Sequence, residues 1–241
     1  PWDAAAQHGG GPAALIARAI EGLEAPAPML LARLSIEFLG AVPMAPVAVH
    51  AEIVRSGRRL QLAEATLEAE GRVVCRAHAV LLRREPVAVP AGAVPAARLA
   101  PPDGLVAEQV PLPPHGEAEG FARTGMELRF ASGRFAEPGR ATAWFRLTMP
   151  LVEGEEPSPV QRAIAAADFG NGVAAELPFA THLFVNTELT VHLSRMPVGE
   201  WIAVEGVTEH GPEGTALAAS TLHDSSGPIG RGAQALYVAT R

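Results

Sequence analysis

The chain contains no lysine; all nineteen of its basic residues are arginine. Against 26 acidic residues they leave a formal charge of -7 and a pI near 5.6. That balance argues against a nucleic-acid partner, which needs clustered positive charge. The missing lysine and the heavy use of Ala, Gly and Pro read as GC-rich codon bias, so Ala-rich stretches carry little weight. Cysteine occurs once, as Cys75, which excludes an intramolecular disulfide and a cysteine-built zinc site. A lone thiol suits a reducing, cytoplasmic interior. Its place in "GRVVCRAHAVLL" predicts a small core residue on a strand. No run of about 18 apolar residues exists, so no transmembrane helix is expected. No charged-then-apolar leader opens the chain, although the abrupt start at Pro1 leaves room for an upstream segment. The eight histidines show no metal spacing such as His-x-x-x-His. The pentapeptide Gly-x-Ser-x-Gly, the nucleophile elbow of α/β-hydrolases, is also absent.

That last absence decides how residues 7–21, "QHGGGPAALIARAIE", are read. An "HGGG" run supplies oxyanion-hole N–H groups in lipases and esterases, but only beside such an elbow. Here the glycines stand at a helix entrance. Pro12 suits a first helical turn, and Leu15, Ile16, Ala19, Ile20 and Leu23 recur at helical spacing. Glycines there let the backbone bend and approach a neighbour closely, and a helix N-terminus concentrates N–H groups and partial positive charge.

With 241 residues, 48% hydrophobic, the chain can bury one large core or two small ones. Four strand-like runs follow the first helix, at 29–40, 45–55, 58–69 and 72–84. Short polar turns between neighbouring runs indicate antiparallel hairpins. Residues 86–124 are rich in Pro and Gly and aperiodic, an irregular connector between units at 1–85 and 125–241. The second unit reads as strands at 125–130 and 140–151, then a helix after Ser158 as N-cap. Four more strands follow at 182–194, 200–210, 215–224 and 228–240. The halves overlay: 62–82 matches 217–238 with one inserted residue, which sets His78 on Gln234, and Leu34 falls on Leu189. Such self-similarity predicts a duplicated fold, each helix burying its apolar stripe across an antiparallel sheet.

"QHGGGPAALIARAIE", "AADFGNGVAA", "NTELTVHLSRMPVGEWIAVEG" and "GRGAQALYV" occur in that order on this repeat. In these segments the chain resembles the acyl-CoA thioesterase II (TesB-like) family, over most of 7–84 and 125–240. The resemblance implies an α+β double hot-dog fold and hydrolysis of an acyl-CoA or other pantetheine thioester. No cofactor or metal is implied, because water is the nucleophile, and hot-dog sheets lying side by side imply a homodimer. Family members activate water with an Asp on the second helix, a Thr on the next strand and a Gln on the last strand. These fall on Asp168, Asn186 and Gln234. The family Thr is thus Asn here, with Thr187 beside it. Strand neighbours point to opposite faces, so Thr187 substitutes only if a bulge intervenes. The resemblance also places Gly9, Gly10 and Gly11 where a thioester carbonyl would be polarised.

The chemistry agrees with the residues read on their own. Thioester hydrolysis needs a positioned water, a carboxylate to take its proton and an oxyanion donor. Asp168 lies in an apolar helical stretch, where a buried carboxylate is costly unless bonded or used. The competing reading is an exposed capping Asp before the Gly170–Asn171–Gly172 break. Gln234 could equally sit on a solvent face. His8, beside the glycine turn, and His78 are candidate substrate contacts or plain packing residues. Trp2, Trp144 and Trp201 read as core or interface. Two other functions compete: a non-catalytic acyl-CoA-binding protein, kept open by Asn186, and a hot-dog hydratase, whose His–Asp or His–Glu pair is not seen near either helix.

Overall fold

The computed structural model describes residues 5–90, 92–93, 98–110, 120–135 and 137–241. Trp2 lies outside the described residues. The first unit opens with α1 (Gly10–Glu21), whose Ala13, Ile16, Ala17 and Ile20 recur at three- and four-residue spacing and are all buried. A meander follows: β1 (Met29–Phe38), β2 (Val47–Arg55), β3 (Leu60–Ala69) and β4 (Arg72–Arg83). β4 returns to pair with β1, so the spatial order is β2-β3-β4-β1. In β3 the residues Ala63, Ala65, Leu67 and Ala69 are buried while Glu64 is exposed, the two-residue alternation of a half-covered strand. α1 lies across the covered face.

The connector is not irregular throughout. Its short β5 (Ala107–Glu108) pairs with β6 (Met126–Arg134), which pairs with β7 (Glu137–Leu147). A single π-helical turn, Phe121–Gly125, leads into β6. Trp144 is fully buried, and its indole N–H needs an acceptor. Ala100 O provides it at 2.9 Å, and Pro102 O accepts from Arg129 at 3.0 Å. Donors of the second unit, the buried Trp144 and the half-buried Arg129, thus hold the connector down.

α2 (Pro159–Ala167) follows, with Ser158 Oγ accepting from the Gln161 N–H at 3.1 Å as its N-cap. A short α3 (Gly170–Val173) leads to β8 (His182–Asn186), β9 (Glu188–Leu193), β10 (Ile202–His210), β11 (Thr215–Asp224) and β12 (Gly227–Thr240). The run at 182–194, read as one strand, is therefore two. α2 packs on β7, β9, β10 and β11, and against α1. The two helices run antiparallel, because Glu21 at the end of α1 accepts from Ser158 and Gln161 at the start of α2, at 2.6 and 2.9 Å.

Among the described residues, the strands form one antiparallel sheet, β2-β3-β4-β1-β9-β12-β11-β10-β7-β6-β5, with β8 also on β12. The halves meet at β1 and β9, where Ser35 faces Thr190 and their hydroxyls bond at 3.2 Å. Ser35 pairs with His78 on its other side, and Thr190 pairs with Ala233. The first-unit counterpart of Gln234 is therefore Ala79, not His78. The inserted residue of the sequence overlay is not needed, because both hairpins carry a bulge at the same place, at Val74 and at Ile229.

Candidate active site

The ends of the two helices and a break in one strand build the site. α2 stops at Ala167, and Asp168 is its C-cap residue. It is nevertheless only 5% exposed, because its side chain turns towards α1 rather than water. The start of α1 can come that close only without side chains. A Cβ on Gly9 would lie 2.8 Å from Asp168 Oδ2, and one on Gly10 would lie 2.6 Å from Ala165 O. Gly11 meets only the Phe121 ring, at ordinary contact distance.

The strand break supplies the second group. Leu236 faces Asn186 while Ala233 faces Thr190, so Thr187 and Glu188 together stand opposite Ala235. This β-bulge reverses the alternation. Leu189 and Val191 are buried after it, and Phe184 before it. Without the bulge Thr187 would share the face of Leu189; with it, Asn186 takes that face. Asn186 Nδ2 donates to Asp168 Oδ1 at 2.9 Å. Thr187 is turned away, and its hydroxyl donates to Ala235 O at 3.3 Å. Gln234, 1% exposed, approaches from β12. Its Nε2 donates to Asp168 Oδ1 and to Asp168 O, both at 3.3 Å, and its Oε1 accepts from the Asn171 N–H at 3.0 Å.

His8 joins this group, 3.1 Å from Asp168 Oδ2 through Nδ1. The sequence reading saw no His–acid pair near a helix; the fold makes one from residues far apart in the chain. His8 Nδ1 also accepts from the Gly10 N–H at 3.1 Å, which puts the ring proton on Nε2. The ring stacks on Phe169 at 4.2 Å between centroids. Burial holds the imidazole down at about 3, neutral at physiological pH. Burial lifts the Asp168 carboxyl to about 7, against the lowering pull of the Asn186 hydrogen bond. Two acceptors meeting at His8 Nδ1 and Asp168 Oδ2 also favour the protonated acid, which can donate across that gap.

A cavity of about 520 Å³ adjoins this group, lined by Gly9, Phe38, Phe135, Phe169, Leu183 and Val185, with His8, Asp168, Asn171 and Asn186 as its polar edge; Gln234 is buried and does not line it. Thr187 stands at its rim. Gly10 and Gly11 are buried behind it, the Gly11 N–H bonded to His8 O at 3.3 Å. His78 is not brought to the site: it is 46% exposed on the opposite sheet face, beside Glu64. Sequence reasoning missed Asn171, although the Gly170–Asn171–Gly172 break after Asp168 marked the place. The bulge was raised only as the condition for Thr187 to reach the site; it is present, and it turns Asn186 inward and Thr187 away. Elsewhere, Cys75 is fully buried, and the guanidinium groups of Arg129 and Arg146 lie 4.9 and 5.0 Å from the centre of the Trp201 ring. Among the described residues, no three His, Cys, Asp or Glu side chains group to hold a metal, and no helix is long and apolar enough to cross a membrane.

Residues 1–82 match the model of the acyl-CoA thioesterase N-terminal domain, and residues 101–238 that of the C-terminal domain. No curated protein matches the chain. A conserved protein of unknown function with a hot-dog fold from Alicyclobacillus acidocaldarius is 18% identical, with a TM-score of 0.76 over 99% of this chain and 89% of that one. An acyl-CoA thioesterase II from Mycobacterium marinum is 17% identical, with a TM-score of 0.65 over 98% and 92%. At such identities the likeness speaks for the fold, which is the double hot-dog. With both domain models matched in order along a duplicated helix-on-sheet fold, the chain belongs to the acyl-CoA thioesterase family.

Proposed function

We propose that the protein hydrolyses acyl-CoA thioesters with a water activated by Asp168. The observation that carries this is a buried carboxylate tuned to about 7 at the edge of an apolar cavity, bonded by two amides. The acyl chain lies among Phe38, Phe135, Leu183 and Val185. Asp168 takes a proton from water as the water oxygen bonds to the thioester carbon. The carbonyl becomes an oxyanion, stabilised by the Gly9 N–H and the positive end of α1. Asp168 holds that proton, its Oδ1 still bonded by the Asn186 and Gln234 amides. Collapse of the oxyanion breaks the C–S bond, and the proton leaves with the CoA thiol. Asn186 and Gln234 orient the carboxylate, Asn186 in the place of the family threonine. Thiol release from acetyl-, octanoyl-, lauroyl- and phenylacetyl-CoA tests this. Binding without release would instead favour an acyl-CoA-binding protein.

The His8–Asp168 pair favours one second reading, hydration of an enoyl-CoA. It is the weaker one, because His8 Nδ1 is occupied by the Gly10 N–H rather than donating to the carboxylate. Loss of enoyl absorbance from crotonyl-CoA separates the two.

The same reading includes a homodimer in a reducing, cytoplasmic setting. β10 is covered by β7, whereas among the described residues nothing pairs with the outer edge of its counterpart β2. Two β2 strands pairing antiparallel about Ala51 would set His50 against Glu52 of the partner subunit and Val49 against Ile53 of the partner subunit.

A further inference from the structure

The bulge opposite Ala235 has a twin in the first unit. Leu31 faces Leu81 and Arg33 faces Val80, with Ala32 as the extra residue. By the seam register Arg33 stands where Glu188 stands, and a guanidinium offers no acceptor. The fold therefore makes this bulge without a carboxylate. In the second unit one is added. Glu188 Oε1 accepts from the Ala235 N–H at 2.7 Å, and Oε2 accepts from Thr190 Oγ1 at 3.0 Å. The Ala235 carbonyl is held from the same side, by the Thr187 N–H at 3.1 Å and by its hydroxyl. Both polar groups of Ala235 are thus fastened to the bulge.

Ala235 follows Gln234 directly, and Glu188 lies two residues beyond Asn186. These two amides converge on one oxygen, Asp168 Oδ1. In the first unit the places of Asn186 and Gln234 hold Leu31 and Ala79, which have nothing to aim. The bulge goes with the fold, and the carboxylate goes with the polar site. We infer that Glu188 is a positioning residue, locking Ala235 to the bulge and so holding Gln234 and Asn186 on Asp168.

The kinetic part of the test rests on the hydrolase reading. The variants are Glu188→Ala, Glu188→Gln and Glu188→Arg in the whole chain. Glutamine keeps an oxygen for the Ala235 N–H, and arginine copies the first unit, so it serves if the alanine variant fails to fold. Thiol release is measured on the best of the four acyl-CoAs named above. NMR follows the side-chain amide signals of Asn186 and Gln234, which report their hydrogen bonds with or without turnover. Glu188→Ala should lower kcat about tenfold or more, leave KM within about twofold, and shift both amide signals. Glu188→Arg should do the same, and Glu188→Gln should restore both kcat and the signals. Unmoved amide signals in Glu188→Ala overturn the inference, as does a Glu188→Gln variant as impaired as alanine. If the wild type releases no thiol, or Asp168→Asn releases it at the wild-type rate, the hydrolase reading fails. The amide signals then decide the role of Glu188 alone.

Discussion

Replacing Asp168 by Asn should make the protein more stable and nearly inactive. The carboxyl rises from 3.8 to about 7 on folding, chiefly through burial. Each unit is worth about 1.4 kcal/mol, so the cost of ionising it in place is on the order of 4 kcal/mol. The sign follows from proton counting. Between about pH 4 and about pH 7 the folded protein holds a proton that the unfolded chain has released, so stability falls as pH rises through that window and levels off above it. Asparagine stays neutral, its oxygen can still accept from Asn186, and its NH2 can donate to His8 Nδ1. Near pH 4 the variant and wild type should melt together. At pH 8 the variant should melt higher, by roughly 5–10 °C if half or more of the cost is recovered at about 2–4 °C per kcal/mol. Activity should fall by about 10²-fold or more, because the base is gone. Wild-type kcat/KM should rise with pH through an inflection near 7, and the variant should lose that inflection. Calorimetry from pH 4 to 8 and thiol release check the two halves separately. An Asp168→Asn protein that melts lower at pH 8, or hydrolyses at the wild-type rate, refutes the reasoning.

Gly10→Ala should push α1 off α2, because its Cβ would meet a backbone carbonyl at 2.6 Å. A loss of about 1–3 kcal/mol is expected in thermal melts, and an unchanged melt would show that the helices are not so closely packed. Asn186→Thr restores the family residue and should keep or raise kcat, whereas Asn186→Leu should lower it; equal rates for all three would remove Asn186 from the mechanism. Light scattering at micromolar concentration should give a dimer. His50→Glu should weaken it, the exchange of His50→Glu with Glu52→His should restore it, and a monomeric wild type contradicts the β2 pairing. Cys75 is fully buried, and its thiol is pushed up to about 12 by burial and then by the nearby Asp168 charge. It should resist maleimide at pH 8 until the chain is unfolded, and labelling of the native protein would disprove its burial.

What was legible beforehand was local or repeated. The stripe of α1, the Ser158 cap and the hairpin turns of the first unit each depend on residues a few positions apart, so periodicity and turn chemistry report them directly. The two units were visible because a duplicated fold leaves a duplicated pattern. Asp168 and Gln234 were named through a family resemblance; read on their own, each could have been a surface residue, and burial alone separates those cases. Other features depend on which strands meet. The one-residue displacement between His78 and Gln234 disappears only when Ser35 is seen opposite Thr190, because an overlay of letters cannot tell a bulge from an insertion. The choice of Asn186 over Thr187 lies in a bulge that needs β12 as a partner strand. The pairing of His8 with Asp168 needs two helices to cross end to start, and it is permitted by the missing side chains of Gly9 and Gly10. The amino-acid sequence by itself determined the elements, their duplication and the glycines that allow close approach. The tertiary structure alone decided which polar groups lost their water and met, because desolvation and strand register belong to surfaces in contact rather than to neighbours in the chain.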